Sequence, residues 1–247
     1  MVRVPDRLYV MNKISVVIPA HNEEKYIEKC LSSIRKAALK TNTPVEIIVV
    51  LNRCADATED LANKYNAITV EENEKNIAKI RNAGVKVSTG NVLVTIDADS
   101  WMAPNMLQEV IFKLRTGRYI GGGVKIKPER LSLGIICSVL MVAPYMLKAR
   151  ISAGMFWLYK HHFEALGGFD ESHVSVEDYY FAIKLKAYGR RKMLKYGTIR
   201  QSHITTSCRK FDQFGDWYLF KNPKFVREIF KATNQTAANK FYYDVKR

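Results

Sequence analysis

The first hundred residues repeat one arrangement: a short apolar run, a polar turn, then apolar residues recurring every three or four positions. "ISVVIPA" (14–20) and "VEIIVVLN" (45–52) lack alternation and are rich in β-branched residues, which predicts strands buried on both faces. After the first, Tyr26, Ile27, Cys30, Leu31, Ile34, Ala37 and Ala38 fall at helical spacing with Lys and Glu between them, the signature of an amphipathic helix. "DATEDLANKY" predicts a second helix with Asp56 at its N-cap, "AITVEE" a third strand, "NIAKIRNAGVKV" a third helix and "NVLVTIDAD" a fourth strand. Strands alternating with helices predict crossover units and an α/β fold with a largely parallel sheet.

Beyond Pro104 the pattern changes. "NMLQEVIFKLRTG" predicts a helix, and "YIGGGVKIKP" ends in the apolar–basic alternation of a half-exposed strand, so the sheet is expected to become mixed. The glycines of "GGG" (121–123) lack the lysine and context of a phosphate loop and predict close approach of a neighbouring backbone or a substrate. "GMFWLYK" predicts another strand, "HHFEALGGFDE" a short helix stopped by Gly167 and Gly168, and "VEDYYFAIKLKAYGRR" a further amphipathic helix. Between strand and helix patterns lies an uncharged run, "LSLGIICSVLMVAPYML" (131–147), flanked by Arg130, Lys148 and Arg150. It is short against the roughly 20 residues of a membrane span and Pro144 interrupts it. The favoured reading is a helix packed on the domain, with a helix lying in a membrane interface second.

Composition narrows the setting. With 247 residues and 47% hydrophobic content the chain can bury a substantial core. Lys and Arg exceed Asp and Glu by 39 to 24, a net charge of +15, so attraction to polyanions is expected: nucleotide phosphates, anionic lipid or nucleic acid. Four scattered cysteines form no CxxC pair, and "MVRVPDRLYV" breaks the pattern of a secretion signal, so a reducing, cytoplasmic compartment is expected. Residues 1–13 read as an N-terminal extension, with Met11 as an alternative start; 14–210 read as the main domain and 211–247 as a helical tail packing on the domain or a membrane surface.

In an open parallel sheet, ligands gather at the carboxyl ends of strands. That rim holds residues 20–23, 52–56 and 97–99. Asp97 and Asp99, one residue apart at a strand end, can turn toward a shared ligand and hold a hard divalent cation beside phosphate oxygens; alternatively they form an exposed turn before the next helix.

Four ordered blocks decide between those readings. "ISVVIPAHNEEKYIEKCLSSI", "IIVVLNRCADAT", "IAKIRNAGVKVSTGNVLVTIDADS" and "ALGGFDESHVSVEDYYFAIKLKAYGRR" resemble the successive blocks of family 2 glycosyltransferases over about residues 14–210. The resemblance implies the GT-A type of fold, a Rossmann-like mixed, mostly parallel sheet flanked by helices. It implies inverting, metal-dependent transfer of a sugar from a nucleotide-sugar donor to an acceptor hydroxyl on a glycan or lipid carrier, with Mg²⁺ or Mn²⁺ as cofactor. Pro19, Ala20, Asn22 and Glu23 match the first nucleotide-binding loop; Asn52 and Asp56 match the second; Arg81 matches a basic position facing the same crevice. Asp97 falls near the ribose or sugar and Asp99 on the metal. Asp178, with Glu177 as substitute, matches the general base that removes the acceptor proton. In "HITTSCRKF", Arg209 and Lys210 match a diphosphate clamp and His203 a further metal ligand.

The sequence departs from the family pattern at the second loop, where "LNRCADAT" offers a neutral Asn52 amide to the base instead of an acid, leaving the base open. No "QxxRW" segment follows the Glu177–Asp178 pair, which argues for one addition per encounter. A nucleotidyltransferase making a sugar nucleotide is the alternative, but "IPAHNEE" lacks the glycine-rich loop of that class. A non-enzymatic nucleic-acid binder, suggested by charge alone, has no recognition motif, and nucleic acid is not expected as a partner. Peripheral contact with anionic membrane, at its inner face, accompanies the basic, aromatic tail.

Overall fold

The computed structural model describes residues 11–173 and 176–231. Its first half is built from β1 (Ile14–Ala20), α1 (Ile27–Ala38), β2 (Val45–Leu51), α2 (Thr58–Lys64), β3 (Ile68–Glu71), α3 (Ile77–Val87) and β4 (Val92–Ile96). These strands lie parallel in the order β3-β2-β1-β4, the arrangement that right-handed crossovers generate. Strand β1 is buried along its whole length because helices cover both faces: Val16 and Ile18 meet Ile27, Leu31 and Ile34 of α1 on one side, and Val17 meets the layer of α3 on the other. That is why its sequence runs apolar without alternation.

The second half comprises β5 (Ser100–Met102), α4 (Met106–Arg115), β6 (Tyr119–Pro128), α5 (Leu133–Ala149), β7 (Met155–Tyr159), α6 (Lys160–Ala165), α7 (Glu177–Arg191), β8 (Lys195–Thr206), α8 (Arg209–Phe214), α9 (Tyr218–Lys221) and α10 (Pro223–Lys231). It extends the sheet as β4-β7-β6-β8-β5, with β7 antiparallel to both neighbours and β8 parallel to β6. The sheet is therefore mixed and mostly parallel. Two of its strands, β5 and β8, have no counterpart in the sequence-based assignment. The "GGG" stretch admits a neighbouring backbone: a Cβ on Gly122 would lie 1.8 Å from the Gly197 carbonyl oxygen on β8. Gly167 and Gly168, both at positive φ, stop α6. Behind them Phe156, Phe163, Phe169 and Phe181 form a cluster of edge-on and tilted rings that seats α7 against the sheet.

The uncharged run forms α5, which packs by one side only. Gly134, Ile135 and Ser138 are buried against α9, where Ser138 Oγ donates to the Asp216 carbonyl at 2.7 Å. Arg130 holds Asp212 and Asp216 beside the helix start, and Phe230 of α10 stacks on Tyr145 at 4.0 Å between ring centroids. The opposite side of α5 is exposed, so the expectation of a packed helix holds for half its circumference. Among the described residues no helix is long and apolar enough to cross a membrane. The N-terminal residues 1–10 and the tail beyond 231 lie outside the described residues.

Candidate active site

Strand ends β1, β2 and β4, the start of α7 and the segment after β8 converge on one cavity of about 310 Å³. Its walls include Pro19, Ala20, His21, Glu23 and Asn52 from the first two strand ends, and Asp97 and Asp99 from the fourth. Arg81 enters from α3, Glu177 and Asp178 from α7, and Ser207, Arg209, Lys210 and Phe211 from the segment after β8.

Two guanidiniums, that of Arg81 buried and that of Arg209 partly so, organise the acids. Arg81 lies over the Phe169 ring, pairs with Glu177 through Nη1 and reaches Asp97 Oδ1 through Nη2 at 2.6 Å. Arg209 grips Glu23 in a fork, at 2.6 and 2.9 Å, and meets Asp99 Oδ2 at 2.9 Å. Asp99 also accepts from the Ser207 hydroxyl at 3.0 Å, and its carbonyl accepts from the Ser207 amide. The short pairing of β5 with β8 sets this up: Ser100 lies opposite Thr206, so residues 97–99 and 207–209 leave the sheet side by side.

Three residues expected to touch the nucleotide have other duties. Asn22, at φ 51°, accepts from the Ala55 amide at 2.8 Å. Asp56 accepts from the Glu24 amide at 3.0 Å and from the amide and hydroxyl of Thr58, so it ties the first loop to the start of α2. Neither belongs to the cavity wall. Asn52 does line the cavity, but its amide nitrogen donates to the carbonyls of Glu72 and Glu74 while its oxygen accepts from Arg53. His203 stands apart as well. It sits opposite Lys125 on β6, outside the cavity wall, where partial burial, Lys127 and Lys125 lower its pKa. Sequence reasoning passed over His21, whose Nδ1 lies 2.5 Å from the Asn52 carbonyl oxygen, and Ser207. His21 stood inside the quoted "IPAHNEE" block and Ser207 inside "HITTSCRKF".

The family model described as "Glycosyl transferase family 2" matches residues 15–136. The chain belongs to glycosyl transferase family 2. It is 28% identical over 103 residues to the putative glycosyltransferase EpsH of Bacillus subtilis, covering 40% of this chain and 29% of that protein. It is 31% identical over 123 residues to the dolichol-phosphate mannosyltransferase of Pyrococcus furiosus, covering 45% and 34%. The matched stretch thus spans about a third of the length of these curated relatives. Among solved structures, Staphylococcus aureus TarS 1–349 in complex with UDP-GlcNAc superposes with a TM-score of 0.62 at 18% identity, over 93% of this chain and 70% of that one. The fold is that of the GT-A glycosyltransferases.

Within this family 2 fold the electrostatics of the cavity oppose those of the whole molecule. Five carboxylates, Glu23, Asp97, Asp99, Glu177 and Asp178, face three cations, Arg81, Arg209 and Lys210. A protein of net charge +15 therefore carries a cavity that is negative by two when all are ionised. Burial raises Glu177 to about 7, against the pull of Arg81 and with repulsion from Asp178 and Asp97. Burial likewise raises Asp178, opposed by Arg81 and reinforced by Asp97. Asp97 and Asp99 supply the hard oxygen donors that Mg²⁺ or Mn²⁺ takes, and such ions use one or two protein carboxylates together with substrate phosphates. The residues present fit that group. Among the described residues no cluster of three His, Cys, Asp or Glu side chains forms a self-contained metal cage.

Proposed function

We propose that the protein is a metal-dependent, inverting glycosyltransferase that moves a sugar from a nucleotide-sugar donor to a hydroxyl of a glycan or lipid-linked acceptor. The observation that carries the reading is a cavity of five carboxylates against three cations at the strand ends of a strongly basic protein. A nucleoside diphosphate is itself anionic, so it enters such a cavity only with a cation. TarS is crystallised with UDP-GlcNAc, and a Pyrobaculum calidifontis mannosyltransferase, similar at TM-score 0.61 and 18% identity over 96% of this chain and 72% of that one, with GDP-Man and Mn²⁺. These agree with the donor class and leave the base open.

In this reading Asp99 holds Mg²⁺ or Mn²⁺, which when bound offsets charge on the departing diphosphate. Asp97 faces the sugar or ribose, held in place by Arg81. Arg209 and Lys210, both in the cavity wall, would bind the diphosphate oxygens, and Asp99 would be the residue that holds the ion beside them. Asp178 takes the acceptor hydroxyl proton as that oxygen attacks the anomeric carbon and the bond from that carbon to the diphosphate oxygen breaks. A raised pKa suits this task, since a carboxylate with a higher proton affinity is the stronger base. Glu177, paired with Arg81, fixes the start of α7 and the direction of Asp178. The setting is cytoplasmic, with the enzyme peripheral at the inner face of the membrane.

The test is a screen of UDP- and GDP-sugars with Mn²⁺ against the wild type, Asp99→Asn and Asp178→Asn, reading nucleoside diphosphate and pyrophosphate separately. Nucleoside diphosphate release by the wild type and its loss in both variants is expected. Pyrophosphate release would mark a nucleotidyltransferase instead, and wild-type rates in both variants would remove the assignment.

A further inference from the structure

The exposed side of α5 is apolar from end to end. Leu133, Ile136, Leu140 and Leu147 follow one another at spacings of three, four and seven, with Val139 beside them, and are 68%, 45%, 62% and 74% exposed, with Val139 at 50%. At 1.5 Å per residue this stripe is about 21 Å long. An uninterrupted apolar face of that length on a basic protein marks a contact surface.

At the carboxyl end of the stripe the chemistry changes abruptly. A groove of about 790 Å³ opens between α5 and α7, and its rim carries Lys148, Arg150, Lys186 and Arg190 together with Tyr145 and Tyr179. Lys186 donates to the carbonyls of Ala149 and Arg150 at the end of α5; its pKa is lowered by burial and by repulsion from Arg190 and Arg150. Among the described residues no carboxylate lies within ion-pair distance of these four cations. Like charges gathered without a counter-ion, beside bare apolar surface, ask for an occupant that is apolar in one part and anionic in the next.

We infer that α5 and the groove at its carboxyl end dock the protein on an anionic lipid bilayer, with α5 lying in the interface and the four cations meeting headgroup phosphates. Interfacial helices combine this kind of apolar face and basic margin. Charge argues against the other occupants. The chain beyond residue 231 carries Lys240, Lys246 and Arg247 against a single acid, Asp244, and would add cations to a cationic groove. A second copy would cover the apolar stripe but, at a net charge of +15, brings no excess of negative charge to the four cations. The surface deepens the membrane setting of the proposed function. Helix α7 carries Asp178 into the cavity at its first turn and Tyr179, Lys186 and Arg190 into the groove, so docking puts the cavity one helix away from lipid-linked acceptors.

Vesicle co-sedimentation of the full chain tests this without any turnover, so the docking surface and the proposed reaction can fail separately. Binding is expected to vesicles of phosphatidylcholine mixed with phosphatidylglycerol, to weaken as salt rises, and to be far weaker with phosphatidylcholine alone. Each cation near an anionic surface contributes about fivefold in partitioning, so the double variant Lys148→Gln/Arg190→Gln should bind about 25-fold less. Leu133→Glu/Leu140→Glu, at exposed positions, should abolish sedimentation while leaving the melting temperature and the Mn²⁺-dependent shift with nucleoside diphosphates unchanged. Three results would each overturn the inference: no binding to anionic vesicles, equal binding to both vesicle types, or a wild-type dimer in light scattering that Leu133→Glu/Leu140→Glu converts to monomer.

Discussion

Replacing Arg209 by methionine keeps most of the stem and removes the charge that holds the cavity together in the absence of ligand. Arg209 forks onto Glu23, one of the most enclosed acids in the protein, and shares an oxygen of Asp99 with the Ser207 hydroxyl. Removing one partner of a buried pair costs about 3–5 kcal/mol, because the remaining charge is left without compensation. Asp99 keeps Ser207, so the lower end, about 3 kcal/mol, applies. For a domain of this size each kcal/mol moves the melting temperature by about 2–4 °C, so Arg209→Met should melt about 6–12 °C below the wild type. The same change leaves five carboxylates facing two cations, which strengthens the hold on a divalent ion. Mn²⁺ added to the ligand-free protein should therefore raise the melting temperature of Arg209→Met more than that of the wild type, by at least about 3 °C, or roughly 1 kcal/mol of added stabilisation. Differential scanning fluorimetry of both proteins, with and without Mn²⁺, reads both effects. Co-melting of variant and wild type, or an equal Mn²⁺ shift in the two, would refute the view that Arg209 stands in for a cation between these acids.

Other outcomes follow from the same geometry. Asp178 must be ionised to take a proton and burial raises its pKa, so kcat/KM should fall on the acid side with a limb above the ordinary aspartate range; Glu177→Gln should move that limb to lower pH, and an unmoved limb would detach Glu177 from the base. Glu46 is held at about 2: partial burial alone would raise it, but hydrogen bonds from Ser15, Thr89 and Lys13 outweigh that effect. A depressed carboxylate stabilises the fold above its unfolded pKa near 4.5 and loses that contribution as pH falls toward 2, so Glu46→Gln should cost up to about 3 kcal/mol at neutral pH and flatten the decline in denaturant midpoint over that window. Gly122→Ala forces a Cβ against the Gly197 carbonyl and should destabilise by about 3 kcal/mol or more; a wild-type melting temperature would show that β6 and β8 have room to part.

The parallel half of the fold was legible in the sequence because strands covered on both faces must be mostly apolar, as β1, β2 and β4 are but for Ser15, Glu46 and Thr95. The antiparallel half was less so. Strand β5 has three residues, too few to establish a period, and β8 hides behind "KYGTIRQSHITT", whose polar positions follow a strand exposed in part and shifted in register near Val124 and Lys125. At the site, the strand-end rule led to Glu23, Asp97 and Asp99, and the family blocks led to Arg81, Glu177, Asp178 and Arg209. Asn22, Asp56 and His203 lie outside the cavity wall. Asn22 and Asp56 sit in the expected loops, yet their side chains point along the rim to lace one loop to the next. His203 follows the register of β8 on β6, a pairing between residues far apart in sequence. The pairing of Arg209 with Glu23 spans 186 positions and leaves no local trace.

The three-residue strand β5 has a consequence for the order in which the protein matures. Its one strand partner among the described residues, the end of β8, is made more than a hundred codons later. A nascent chain halted after α7 would hold the parallel strands β1 to β4 but not the clamp that sets Asp99 beside Ser207 and Arg209. The cavity is therefore complete only once β8 and the segment that follows have been made, so shortened products lack the side chains that finish it.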